Sequence, residues 1–224
     1  MERHFSTMGA ADYPVEWQSL HQRAQPEDRE RHMVRSTLVT EGDRAIQTVV
    51  LAFAADPMAR WSWPSAEQYL TYMPTLTRAF GGRAFEHGTA HSTDGLSGVA
   101  LWLPPGVAPD EEALVSLVKR SVPESLQPEV FQVFEAMGTY HPTEPHWYLP
   151  LIGVDPAHQG KGHGAALLKF ALDQCDRDRV PAYLESTNPR NITLYKRHGF
   201  EALGTIQVGS SPPLVPMLRK PEGR

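Results

Sequence analysis

Three alternating glycines, Gly160, Gly162 and Gly164, close the stretch Trp147–Gly164, which reads Trp-Tyr-Leu-Pro-Leu-Ile-Gly-Val-Asp-Pro-Ala-His-Gln-Gly-Lys-Gly-His-Gly. An apolar strand pattern runs into a short loop, and a helical pattern follows the glycines at once. Glycine lets backbone approach a ligand without a Cβ in the way. A helix start adds unpaired N–H groups and the positive end of the helix dipole. Together these make an anion site, and phosphate is its usual occupant. A Walker A loop needs four residues before Gly-Lys-Ser/Thr, and that pattern is absent. A dinucleotide loop is nearly matched by Gly160-Lys161-Gly162-His163-Gly164-Ala165, with Glu185 where a ribose-binding acid would sit. Against it, Asp155–Gln159 separates strand from glycines, and too few strands follow to build a second half.

The elements that must position this loop read as a mixed α/β order. Met33–Thr40 has a strand pattern. Glu41–Ala54 places Ala45, Ile46, Val49, Val50 and Phe53 at helical spacing, and Asp56-Pro57 ends that helix. Ser65–Phe80 reads as a second helix, capped by Ser65 and kinked or split at Pro74. Arg83–His91 and Leu96–Leu103 read as strands joined at Thr93-Asp94-Gly95. Helices are expected over Pro109–Arg120 and Pro123–Met137, the latter closed by Gly138. Strand Trp147–Val154, helix Gly164–Arg179, strand Val180–Ser186, a short helix Arg190–His198 and a strand pair within Phe200–Arg219 complete the order. Cys175 shares one helical face with Leu167, Leu168, Ala171 and Leu172, which marks it as packing rather than a nucleophile.

The 224 residues suffice for one large domain, and 41% hydrophobic with 21% charged residues fits a globular chain. A net charge of −5 gives no basic field for nucleic acid. No apolar run of about 18 residues predicts a membrane span. Met1–Ala10 lacks a signal-peptide core. One cysteine allows no internal disulfide, which points to the cytoplasm. Residues 1–32 are polar and read as an extension with a short helix around Pro14–Ala24; the compact domain is expected over 33–224. No histidine, cysteine and carboxylate cluster has metal-site spacing.

The loop resembles the acyl-CoA signature of the GNAT N-acetyltransferases, Gln/Arg-x-x-Gly-x-Gly/Ala, through Gln159, Gly162 and Gly164. Val154-Asp155-Pro156 before it, Asn188–Asn191 after the next strand, and Tyr195-Lys196-Arg197-His198-Gly199-Phe200 lie at compatible distances. Within that superfamily the chain most resembles puromycin N-acetyltransferase and its relatives. Glu144–Leu149, Val180–Ser186, Pro189-Arg190-Asn191, Arg219-Lys220-Pro221 and Ala52–Pro57 carry that likeness. It is dense over Glu144–Phe200, sparse over Met33–Tyr140, and fails over residues 1–32. His163 stands where the family's residue is usually aliphatic. An outward-facing side chain would reconcile the two, and its role stays open.

The resemblance implies the GNAT fold, a splayed central sheet flanked by helices. It implies a cofactor, acetyl-CoA, as acyl donor and no metal. The pantetheine arm would pair with backbone at Ile152, Gly153 and Val154, between strands that part. The pyrophosphate would fall on the N–H groups of Gly160, Lys161, Gly162, His163, Gly164 and Ala165, bounded by Gln159 and Asn191. Lys161 adds a charge or is a solvated surface lysine. Tyr195 would protonate the leaving thiolate, or simply pack under Phe200. Glu185 is the first candidate base, or it pairs with Arg190 or caps the next turn; Tyr148, His141 and His146 are weaker candidates. An α-amine of pKa near ~8 needs little help from a base, whereas one near ~10.4 needs much. Trp61, Trp63, Tyr69 and Tyr72 suit either core or an aromatic acceptor pocket.

The expected activity is therefore acetyl transfer to a primary amine on a small molecule, by direct attack in a ternary complex. A protein N-terminus or lysine is the alternative acceptor, and a non-catalytic acyl-CoA sensor is the alternative class. The expected protein is a monomer or homodimer that contacts neither nucleic acid nor membrane.

Overall fold

The computed structural model describes residues 32–223. The expected extension and its short helix at Pro14–Ala24 lie outside them, apart from His32. Seven strands form one mixed sheet: β1 (Val34–Ser36), β2 (Ala90–Thr93), β3 (Gly98–Leu103), β4 (Trp147–Val154), β5 (Ala182–Ser186), β6 (Glu201–Ala202) and β7 (Val215–Arg219). Their order is β1-β2-β3-β4-β5-β7-β6. Only β4 and β5 run parallel; every other neighbouring pair is antiparallel. The parallel step is made by the crossover helix α7 (His163–Asp178), since parallel strands cannot be joined by a tight hairpin.

Strand alternation sends β3 side chains to two cores. Val99, Leu101 and Leu103 face α1 (Gly42–Ala52) and α3 (Ala66–Gly81). Ala100 and Trp102 face α7 (His163–Asp178) and α8 (Pro189–Arg197). The connecting helices are α2 (Pro57–Ser62), α4 (Arg83–Glu86), α5 (Glu111–Ser121) and α6 (Gln127–Tyr140). In β4 the alternation breaks. Leu103 opposes Tyr148 and Leu101 opposes Leu151, so two residues of β3 span three of β4. The extra residue is a β-bulge at Leu149-Pro150, where a proline without an N–H is tolerated.

Helix α1 lies tight on the end of β4: a Cβ on Gly153 would come within 2.7 Å of the Ala52 Cβ. Close packing therefore accounts for the missing Cβ here, and leaves the backbone role that the resemblance implies for Gly153 untouched. Cys175 is buried with Leu167, Leu168, Ala171 and Leu172, as the spacing predicts. Burial pushes its thiol up to about 12, away from nucleophilic use.

Several expected elements differ. Arg83–His91 is not one strand: α3 passes through Gly81-Gly82 into α4, and β2 begins only at Ala90. Both glycines keep helical continuity, and the bare Cα of Gly81 admits Leu101, whose Cδ1 would lie 2.9 Å from a Cβ there. Pro74 does not split α3. The carbonyl it orphans belongs to Leu70, which is exposed and can turn to water. Gly138 does not close α6, which ends at Tyr140. His141 is extended and precedes Pro142, whose ring disfavours further helix.

At the far edge Arg219 ties three elements together. It donates two bonds to Asp176 on α7, at 2.7 and 2.9 Å, and one to the carbonyl of His198 after α8. The guanidinium is 5% exposed, so the bidentate partner balances a nearly dry charge.

Candidate active site

The strand β4 pairs with β5 only at Trp147–Leu149, against Ala182–Leu184. Beyond Leu149 the two separate, at the residue where the bulge bends β4. Leu149–Ile152 and Leu184–Thr187 then line a cleft of about 1140 Å³ of empty volume, part of it open to solvent. Ile152, Asn191 and Tyr195 also line it, so these three expected residues do meet at one crevice. Gly153 and Val154 are held on their other side by Val99 and Gly98 of β3.

The glycine loop follows at the end of β4. Gly160 and Gly162 adopt φ of +78° and +98°, the left-handed region that favours glycine. Gly162 caps α7, and the first helical bond runs from the Ala166 N–H to the Gly162 carbonyl. The N–H groups of His163, Gly164 and Ala165 thus precede the helical ladder. A Cβ on Gly160 would meet nothing within 4 Å, and one on Gly162 would meet only the His32 ring, at 3.8 Å. The space above Gly160 is therefore open, and His32 flanks Gly162. Gln159 donates from Nε2 to the Val154 carbonyl at 3.1 Å, which folds the loop back on its strand. Lys161 is exposed, its Nζ 3.2 Å from the Ala157 carbonyl. Gly164 serves packing, since a Cβ there would lie 3.3 Å from Leu194.

The side chain of His163 does not face outward. It is buried, with Nδ1 2.9 Å from the Thr93 hydroxyl and its ring stacked on His32 at 3.7 Å. Burial holds this imidazole below its ordinary pKa, assisted by the neighbouring His32, His158 and Lys161.

Glu185 neither pairs with Arg190 nor caps the next turn; Asn188 is the cap, accepting from the Arg190 N–H. Its carboxylate accepts from the Tyr148 hydroxyl at 2.8 Å, and its other oxygen lies 3.8 Å from His141 Nδ1. His146 packs edge-on against His141 at 4.8 Å. The three weaker candidates named with Glu185 therefore converge on it. Burial, then the charge of Glu185, pushes the Tyr148 hydroxyl far up, so it remains a donor.

Tyr195 is buried, 6.1 Å from the Phe200 ring centroid, while also lining the cleft. Burial, then the Asp56 charge, raises its pKa and keeps its proton in place. Of the four aromatic residues, Tyr69 is core, its hydroxyl donating to the Val50 carbonyl, and Tyr72 packs beside that core. Trp61 and Trp63 line the cleft.

Asp56, which the sequence marks only as the end of a helix, also lines the cleft. Its Oδ1 accepts from the N–H groups of Met58 and Ala59, and Oδ2 accepts from the Thr187 hydroxyl at 2.5 Å. It thus joins α2 to the end of β5. The Asp-Pro pair, a cap followed by a helix-starting proline, is a local signal for the first role. Burial is the largest influence on its carboxyl and raises the pKa. A carboxyl raised on folding favours the fold below its unfolded pKa, and that contribution is lost as pH rises through the folded value. We therefore expect Asp56→Asn, which keeps a capping oxygen, to match or exceed the parent's stability at pH 7 and to lose that advantage near pH 4. Asp56→Ala should instead lose about 1 kcal/mol at pH 7. Urea midpoints at the two pH values test both.

The fold is that of the GNAT acetyltransferases. Residues 125–200 match the sequence profile described as the Acetyltransferase (GNAT) family. An uncharacterised N-acetyltransferase of Schizosaccharomyces pombe is 24% identical over 197 residues, 80% of this chain and 79% of the relative. Among solved structures, the histone acetyltransferase HPA2 and related acetyltransferase of Corynebacterium glutamicum superposes with a TM-score of 0.61 at 24% identity, covering 86% of this chain and 98% of the other. The polyamine N-acetyltransferase of Drosophila melanogaster gives 0.58 at 13% identity, with 84% and 99% covered. The profile match and the names of these relatives support an acetyltransferase.

Proposed function

We propose that residues 33–224 form an acetyl-CoA-dependent N-acetyltransferase domain acting on a primary amine of a small molecule. The observation that carries this reading is the parting of β4 from β5 after Leu149, beside a glycine-capped helix start. Bound acetyl-CoA would supply an activated thioester. Backbone at Ile152–Val154 would hold its pantetheine arm by strand addition. The N–H groups of Gly160–Ala165 would hold its pyrophosphate, with Lys161 adding a charge.

In this reading Glu185 takes a proton from the incoming ammonium, directly or through one water. The neutral nitrogen then forms a C–N bond as the C–S bond breaks. Tyr195 gives its proton to the departing sulfur and recovers one from the nitrogen through solvent. The balance is ammonium plus thioester to amide, thiol and one released proton. The burial that raises Tyr195 also disfavours a thiolate, so the gap between the two acids stays small enough for transfer.

Thiol release from acetyl-CoA, measured with puromycin, polyamines, simple monoamines and short peptides, tests the activity; a parallel titration compares acetyl-CoA with NAD. The reading expects acetyl-CoA to bind in preference and thiol to appear with at least one small amine. Puromycin belongs in the panel because Glu144–Leu149 and Val180–Ser186 resemble the enzymes that acetylate it. Tighter NAD binding overturns the reading. Binding of acetyl-CoA without thiol release makes the protein a sensor, and release with peptides alone moves the acceptor to proteins.

A further inference from the structure

The cleft continues past the parted strands into a chamber between α2, α5 and α6. Its walls include Met58, Trp61, Trp63, Val122, Phe134 and Met137. Among its described lining residues the charged ones are Asp56 and Glu185; no lysine or arginine faces it. Both oxygens of Asp56 are already engaged by Met58, Ala59 and Thr187. Glu185 is different. Its side chain is only 4% exposed: Oε2 accepts from the Tyr148 hydroxyl, the Tyr183 hydroxyl lies beside the carboxylate, and no cation touches it, with His141 Nδ1 3.8 Å from Oε1. A buried carboxylate without a cation is costly and gains from an ammonium brought to it.

The far wall is fastened. Glu129 on α6 accepts from the Ser210 N–H and hydroxyl, both at 2.7 Å, and Trp61 Nε1 donates to the same hydroxyl at 3.1 Å. This clasp joins the loop before β7 to α2 and α6 and holds the Trp61 indole in the chamber wall.

From this arrangement, and resting on the acetyl-transfer reading, we infer that the acceptor is a monoamine with a compact aryl or branched-alkyl body. Its ammonium bonds to the Glu185 carboxylate, and its body lies against the fixed Trp61 indole. A polyamine would bury a second ammonium among apolar walls with no free acceptor. An amino acid would bring a carboxylate that no cation in the chamber can meet. Both losses exceed what the apolar contacts return.

The test uses the full chain and the probes phenethylamine, isoamylamine, spermidine and lysine. Thiol release should show kcat/KM for phenethylamine at least about 100-fold above spermidine and lysine, as expected when a site must strand a buried polar group. Glu185→Gln, nearly the same volume, should raise KM for phenethylamine at least about tenfold while KM for acetyl-CoA holds. Trp61→Phe should improve a longer arylalkylamine relative to phenethylamine. Equal use of spermidine, or a preference for it, overturns the inference and leaves acetyl transfer standing. An unchanged phenethylamine KM in Glu185→Gln overturns the anchor. Calorimetric binding of phenethylamine without thiol release sinks the transfer reading and keeps the chamber; absence of both sinks the two together.

Discussion

Tyr195→Phe is expected to lower kcat by about 100-fold or more, the contribution of a placed general acid. The affinity for acetyl-CoA should change by less than about threefold, because the ring contacts with Phe200 and the core survive the loss of one oxygen. Substrate-trapping calorimetry and steady-state rates separate the two quantities. The parent should hold its rate well into alkaline pH, since burial and the Asp56 charge keep the phenol protonated above its ordinary range. Turnover unchanged within about threefold would remove Tyr195 from the proton path and assign the sulfur's proton to solvent.

Asp176→Ala should produce the largest loss of stability among polar substitutions in the described residues, about 3 kcal/mol. It removes both Asp176 bonds from the Arg219 guanidinium, 5% exposed, leaving it only the exposed Glu222 carboxylate at 3.3 Å as an anionic partner, and frees the N–H of Glu222 as well. The bonds from Arg219 hold the Asp176 carboxyl below its ordinary pKa. A depressed carboxylate contributes stability that is present above about pH 3.8 and lost as pH falls through the folded value. The parent should therefore approach the variant's stability in strong acid. Urea unfolding at pH 7 and pH 3, with the m-value unchanged, checks the size and the sign together.

The sequence specifies structure most directly where a signal and its cause are neighbours. The glycine loop, the start of α7 and the buried face bearing Cys175 follow from spacing within about a dozen residues. Strand β4 matches its apolar run from Trp147 to Val154. Errors arose where punctuation residues were overruled by packing. Gly81 and Gly138 are breakers by composition, yet both lie within helices, and Gly82 joins α3 to α4 with helical φ and ψ; at Gly81 the missing Cβ leaves room for Leu101. The loop pattern alone leaves the direction of His163 open; Thr93, 70 positions earlier, and the His32 ring give it reasons to turn inward. The same limit hid most of the site's electrostatics. Tyr148 and Glu185 are separated by 37 positions, and Asp56 and Thr187 by 131. Each residue was visible; the partnership that gives it a role depends on the finished sheet.

The proline at position 150 has a consequence that precedes any ligand. Because β4 turns aside there, the gap along β5 is preformed, and nothing has to be peeled apart for a guest to enter. Free energy released on association then goes into retention rather than into reorganising the host. Arrival should be a simple collision-limited event, and the lifetime of the complex should rest on how fast the guest leaves.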